Sequence, residues 1–507
     1  MLFRSYPPLY PWLLSWVIRW EGSLEGQITA AVWTTALLSC WFLASAWFVL
    51  RRFAGLGAWP ALFCVGMSGF HTVFAALGVG VMSDMLFMAL AMTSALVAEH
   101  ALAEKGRRAA AVAAGALAGL SVVARTLGVP VAAGLLLAAL YRRAYHQAAL
   151  IGIGAAPFVL VALIPGLLGT PPAAAAAEAD GPVWRQTWLY YTSYWEFWKL
   201  SVPSGEVLRN MMLSNVKEFL EAPASLCLFS AGGDGASFGG ALLSIVLTAG
   251  VLAGVSRLAA GGGYRPIHFV FVCYAAAAIL WNFAIMHRLL APFLPLLYAG
   301  LWMEGKHLAA MIRDNLRNRS TGRRALAAVM GLAALGAAGR SAASYLGGPR
   351  GTFHDNGRQR ATLRLEREQA YEWIRQHTAP ETRFLAWDDV LLHLHTGRQA
   401  IWPMALTTAE FYRADAGPLQ LQLERMMDVA RHVGARYWLD EGRGDAGASP
   451  WPLFAERLER LKSVLPRVFE SRGGQVRIYD LRCVQQPQEP ACAAAVPTLF
   501  PAGLARR

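Results

Sequence analysis

The chain has 507 residues, of which 55% are hydrophobic and 16% charged, against about 25% charged in ordinary soluble domains. With a mean hydropathy of +0.36, this balance excludes a disordered or collagen-like chain, argues against a single soluble globule, and points to a chain dissolved in lipid over much of its length. The net charge of +13 falls in large part in short turns between apolar runs, so it reads as a topology signal and not as a nucleic-acid footprint.

The chain opens on Tyr6-Pro7-Pro8-Leu9-Tyr10-Pro11. Three prolines fix φ and are expected to preclude a regular helix before Trp12. Tyr6 and Tyr10 are then expected on a rigid segment just outside the bilayer, either bonding a headgroup or sugar or anchoring the interface. Residues 1–20 lack the pattern of a cleavable signal peptide, because prolines interrupt the apolar stretch. Apolar runs follow at about 27–50, 58–81, 83–103, 109–124, 127–141, 148–169, 238–256, 267–286, 289–304 and 325–346. A straight span needs about 20 residues, so the runs 109–124, 127–141 and 289–304 are expected to extend by a turn or to thin the bilayer. Ser68, Gly69, His71 and Thr72 interrupt the run 58–81. It is either a helix broken beside protein or a water-filled cavity, or two short helices meeting outside the bilayer.

Direction follows from the turns. One set holds Arg51 and Arg52; Lys105, Arg107 and Arg108; Arg142 and Arg143; Arg257 and Arg265; and a final group from Lys306 to Arg324. The alternate short turns hold only Arg125 and Arg288. The asymmetry puts the first set in the cytoplasm. Ten spans then place both termini outside, with the loop at about 170–237 and everything after about 346. An outside N-terminus with no preceding span leads to the expectation of a further segment upstream. Glu99 and His100 fall near the cytoplasmic end and are read as interface residues.

The outside loop carries Trp184, Trp188, Tyr191, Trp195 and Trp198 at helical spacing. This stripe either lies in the interface or packs on the protein's own spans. From about 354 the pattern alternates helix and strand: a helix over 357–378, a strand at 383–387, a helix at 388–396, a strand near 400–402, a helix over 418–433 closed by Gly434, a strand at 437–440, a helix at 451–464, and strands at 467–471 and 475–481. It predicts a small, mostly parallel sheet with an antiparallel hairpin at its edge. The fold class is thus a helical polytopic membrane protein of about ten spans (1–346) with an extracytoplasmic α/β domain (354–507). Cys483 and Cys492 are expected to pair outside, where disulfides persist; Cys40, Cys64 and Cys273 are read as core fillers, and Cys227 as unpaired. No zinc-ligand spacing, Walker A motif, GxSxG or dinucleotide fingerprint is found.

Chemistry is sought in charged groups at the outer membrane face, because burying them is costly unless they pair or serve. Asp84 opens a span, Arg125 closes a hairpin, and His287-Arg288 forms the turn before a Pro-rich span. They come from different hairpins at one depth. Two arginines there could hold a phosphate through charge-assisted bonds. The bland readings are helix capping for Asp84, pairing with Asp84 for Arg125, and snorkelling for Arg288. His287 and His71 are weaker substrate-binding candidates.

Four segments carry a resemblance: Tyr6 to Pro11, Ser83 to Phe87 opening a span, Ala124 to Gly128, and Arg288 to Pro295. In this order and at this depth they resemble the polytopic GT-C glycosyltransferases, nearest the polyprenyl- or dolichyl-phosphate mannosyltransferase-like branch with its aminoarabinose-transferase-like and RgtA/B/C/D-like members. Tyr371 to Arg375 and Thr396 to Arg398 look like that group's outside domain. The resemblance implies an inverting transferase in the bacterial inner membrane. It would take a sugar from a polyprenyl phosphate and pass it to a lipid, glycan or protein acceptor, with arginines offsetting the charge of the leaving phosphate. Asp84 is the candidate catalytic carboxylate of this chain, and Arg125, Arg288, His287, Tyr6, Tyr10 and His71 are its candidate substrate-binding residues. It names no certain cofactor and leaves a divalent metal open. In the family a carboxylate upstream of the YPPLYP-like segment is the general base. Met1 to Ser5 hold no Asp or Glu, so the expectation is a truncated chain or a member without activity. The alternatives are a non-catalytic scaffold that binds glycan or protein, and a lipid or solute transporter.

Overall fold

A computed structural model describes residues 8–52, 55–103, 107–168, 194–202, 204–228, 238–282, 286–317, 322, 354–403, 426–427, 429–441 and 452–485. The chain divides into two compact units, one drawn from 3–168 and 209–349, the other from 169–208 and 350–507.

The first unit is helical. It starts with α1 (Leu9–Ile18) and α2 (Leu24–Arg52). The helix therefore begins ahead of Trp12, which corrects the expectation from the three prolines. Pro8 is its N-cap, and Pro11 sits in the first turn, where a missing N–H costs no intrahelical bond. Next come α3 (Ala58–Gly69) and α4 (Thr72–Val79), bent by 67° at their break. Beyond them lie α5 (Asp84–Ala103), α6 (Arg108–Ala124), α7 (Val129–Tyr141) and α8 (Tyr145–Leu168). The helices Gly205–Leu228, Phe238–Gly262, Pro266–Ile279 and Leu294–Arg317 complete the described part.

Four of these are long and apolar enough to cross a membrane, over Leu24–Arg52, Asp84–Ala103, Tyr145–Ala162 and Leu242–Gly262, and the α3–α4 pair can act as a fifth. The apolar helices Leu9–Ile18, Arg108–Ala124, Thr126–Tyr141 and Pro266–Ile279 are shorter. The run 325–346 lies outside the described residues.

Helix α5 is the most deeply buried of the four long apolar helices. It is apolar on every side, so it is buried along most of its length. In lipid, helices gain little from hiding apolar surface and associate through close packing of small residues. Alanines 111, 114 and 118 on α6 accordingly have no exposed surface. Glycine takes this furthest where Phe238–Gly262 meets Leu294–Arg317. A Cβ on Gly254 would stand 1.8 Å from the Gly300 backbone oxygen. Gly254→Val is therefore expected to lower stability by about 1–3 kcal/mol through overpacking. Gly250→Ala, with nothing within 4 Å, is expected to leave it unchanged. Thermal unfolding of the purified variants reads the contrast.

In the second unit, helix His354–His377 precedes a five-stranded sheet of order β2-β1-β3-β5-β4, with β1 Arg383–Ala386, β2 Gln399–Ile401, β3 Tyr437–Asp440, β4 Arg467–Glu470 and β5 Arg477–Asp480. β1 pairs in parallel with β2 and β3, and β5 runs antiparallel to β3 and β4. Two of the four pairings are parallel, so the sheet is mixed. Gly397 and Gly434 end their helices with φ of 71° and 64°, a left-handed turn that costs glycine least. Buried Lys462 pairs with Asp440 at 2.9 Å beneath the sheet. Cys483 is disulfide-bonded. Cys40, Cys64, Cys227 and Cys273 are free, and Cys492 lies outside the described residues.

Candidate functional site

Asp84 opens α5, where the helix N-terminus favours an anion. Arg125 leaves the end of α6 in an extended conformation, φ −156° and ψ 142°, ahead of a short 3₁₀ turn at Thr126–Gly128. Arg288 sits on the short helix Met286–Leu290. The fold brings these three side chains together. Arg125 Nη1 donates to Asp84 Oδ1. Arg288 donates from Nε to Oδ1 at 3.1 Å and from Nη2 to Oδ2 at 2.8 Å. The side chains are 3% exposed for Asp84, 16% for Arg125 and 39% for Arg288. A carboxylate this deep needs partners, since an unpaired buried charge is strongly destabilising. Two guanidinium groups against one carboxylate leave one positive charge in excess. The gradient of exposure puts that excess toward the Arg288 side. Arg288 Nη2 also reaches Met82 Sδ at 3.4 Å.

The other candidates are placed as follows. His287 Nε2 is 2.6 Å from Ser225 Oγ on the helix Gly205–Leu228. His71 is buried at the α3–α4 break, where its Nδ1 accepts the Val73 N–H at 3.1 Å and caps α4; its ring also bonds the Leu226 backbone. Tyr10 is buried against α2, with its hydroxyl 2.7 Å from Thr35 Oγ1. Tyr6 lies outside the described residues. So do Trp184, Trp188 and Tyr191 of the aromatic stripe, whose later members fall on the helix Tyr194–Ser201.

Two groups beyond the sequence candidates stand out. Tyr274, fully buried, lies within electrostatic range of Asp84, Arg125 and Arg288. Glu218 accepts the Met286 N–H at 3.5 Å, two residues before Arg288 in sequence. Among the described residues it has no ion pair, and burial pushes its carboxyl above the usual carboxylate range. Nothing in the sequence marked it, because it is one acid among several in a long polar loop.

Glu99 adds to the sequence reading. It is 1% exposed, and two arginines hold it. Arg142 donates Nη1 to Oε1 at 3.1 Å and Nη2 to Oε2 at 3.0 Å, and Arg265 Nη1 donates to Oε1 at 2.6 Å. Helix α5 thus carries a carboxylate clamped by two arginines near each end. Among the described residues no group of three or more His, Cys, Asp or Glu is placed to hold a metal ion.

No protein-family model and no curated relative matches the sequence. Solved structures do show a likeness. ArnT from Cupriavidus metallidurans bound to undecaprenyl phosphate is 15% identical, with a TM-score of 0.46 over 94% of this chain and 88% of that one. The archaeal oligosaccharyltransferase AglB from Archaeoglobus fulgidus, in complex with an inhibitory peptide and a dolichol-phosphate, is 13% identical, with a TM-score of 0.44 over 93% of this chain and 66% of that one. Both have the GT-C fold, the group that the sequence motifs resemble. At these identities and TM-scores, the reading of the site rests on this chain's own side chains.

Proposed function

We propose that this chain is a multi-pass membrane glycosyltransferase of the GT-C type, moving a sugar from a polyprenyl phosphate to a lipid, glycan or protein acceptor on the outer face of the inner membrane. The observation that carries the reading is the triad Asp84, Arg125 and Arg288, two guanidinium groups from separate hairpins locked onto one buried carboxylate with a positive charge to spare. The basic turns set the orientation: about ten crossings, with this end of α5 and the C-terminal α/β unit outside.

In this reading Asp84 orients the arginines, since both its oxygens already accept guanidinium N–H bonds. Arg125 and Arg288 hold the donor phosphate and offset its charge as it leaves. Glu218 takes the acceptor proton. The acceptor oxygen forms a bond to the anomeric carbon, the bond from that carbon to the phosphate oxygen breaks with its electron pair on phosphate, and configuration inverts. A carboxyl raised by burial above the usual carboxylate range is a stronger base than an ordinary carboxylate.

Protein purified into lipid and given radiolabelled polyprenyl-phosphate sugars is expected to label an acceptor, and Glu218→Gln to slow the transfer by about 10²–10⁴-fold. Wild-type rates in Glu218→Gln would remove it as the base. Transfer from no donor would overturn the enzyme and favour the scaffold.

A further inference from the structure

The end of α5 opposite Asp84 holds a second cluster that the transferase reading does not use. Glu99 has two carboxylate oxygens, and around them stand Arg142, Arg265 and the buried ring of His268. Donors outnumber acceptors. Two arginines bring up to ten N–H groups. They meet the two Glu99 oxygens and the Tyr264 carbonyl, which accepts from Arg142 Nη2 at 3.0 Å. Of the Arg265 side-chain nitrogens only Nη1 finds an acceptor among the described residues, and its Nε is buried with none. His268 accepts the Arg265 backbone N–H on Nδ1, which leaves Nε2 buried and unpaired. The cluster carries one positive charge in excess and lacks acceptors, the complement of an anion with several oxygens.

Its surroundings fix the kind of anion. Tyr141 and Tyr264 are both more than half exposed and pack edge to face, with ring centroids 5.8 Å apart, and Phe269 closes the group. Exposed tyrosines beside arginines at the end of apolar helices mark headgroup depth. The same set of turns carries the chain's excess of Lys and Arg. We infer that Arg142 and Arg265 bind the phosphate of an anionic phospholipid in the leaflet opposite the Asp84 site. Basic pockets between membrane helices recognise such headgroups by charge and by fork-shaped donors.

The test places the purified full chain in nanodiscs of phosphatidylglycerol or of phosphatidylcholine and follows arginine modification by phenylglyoxal. Arg265 is expected to react about tenfold more slowly in phosphatidylglycerol, whereas equal rates in the two lipids overturn the proposal. Native mass spectrometry of Arg265→Gln, which keeps the Arg142–Glu99 pair, is expected to show the preference for phosphatidylglycerol lost; an unchanged preference also overturns it. A third arm adds inorganic phosphate or glycerol phosphate to phosphatidylcholine discs. Protection there equal to that in phosphatidylglycerol assigns the cluster to soluble anions and overturns the lipid.

Discussion

Arg288→Ala is expected to slow sugar transfer by about 10²–10³-fold, the loss typical when one preorganised donor to a developing charge is removed. Arg288 supplies two of the three bonds to Asp84 in the triad and is its most exposed member. The fold should survive, because Asp84 keeps Arg125 and a side chain 39% exposed on Arg288 is partly screened by solvent. Initial rates with radiolabelled donor, read beside the melting temperature, separate the two effects. A rate within twofold of wild type would show that the triad is structural. Asp84→Ala is the informative companion. It is expected to lose activity and stability together, since it strands two guanidinium groups that the fold holds close to one another.

The largest effect on stability is expected at Glu99. Its carboxylate is 1% exposed and takes two bonds from Arg142 and one from Arg265. Glu99→Ala leaves two arginines facing each other without a counter-charge and should cost about 3–5 kcal/mol, enough to abolish recovery of a monodisperse protein. The triple replacement Glu99→Leu, Arg142→Leu and Arg265→Leu should recover much of that loss, because apolar side chains often substitute for a buried ionic triad without penalty. Size-exclusion profiles and thermal unfolding of both variants make the comparison. Stability in Glu99→Ala equal to that of the wild type would mean that the arginines find other partners.

What the sequence made legible follows periodicity and turn chemistry. In the α/β unit, Gly397, Gly434 and the pair Gly473-Gly474 punctuate short runs of Phe, Leu, Tyr and Ile, and the strands fall within a residue or two of the expected positions. The break near His71 was likewise visible, because polar residues cannot sit in an apolar helix without a reason, and here the ring caps α4. Asp84, Arg125 and Arg288 could be named because charge is scarce at their depth. Their mutual bonding, across sequence separations of 41 and 204, could not, since register between hairpins is set by packing. The partners of Glu99 stayed hidden for the same reason: position along a span gives depth, and says nothing of which face meets Arg142 and Arg265. Pro11 misled because proline breaks helix interiors but is tolerated in a first turn.

The two clamps on α5 have a mechanical consequence. Asp84 and Glu99 are fifteen residues apart, roughly 22 Å along a helix axis at 1.5 Å per residue. A helix pinned this way at both ends can neither slide lengthwise nor roll without breaking charge pairs. Its polar anchors then act as a fixed gauge. Where the hydrocarbon is thicker than that gauge, the surrounding lipid must deform to meet the protein, and the height of the Asp84 cluster above the membrane centre stays constant from one lipid composition to the next.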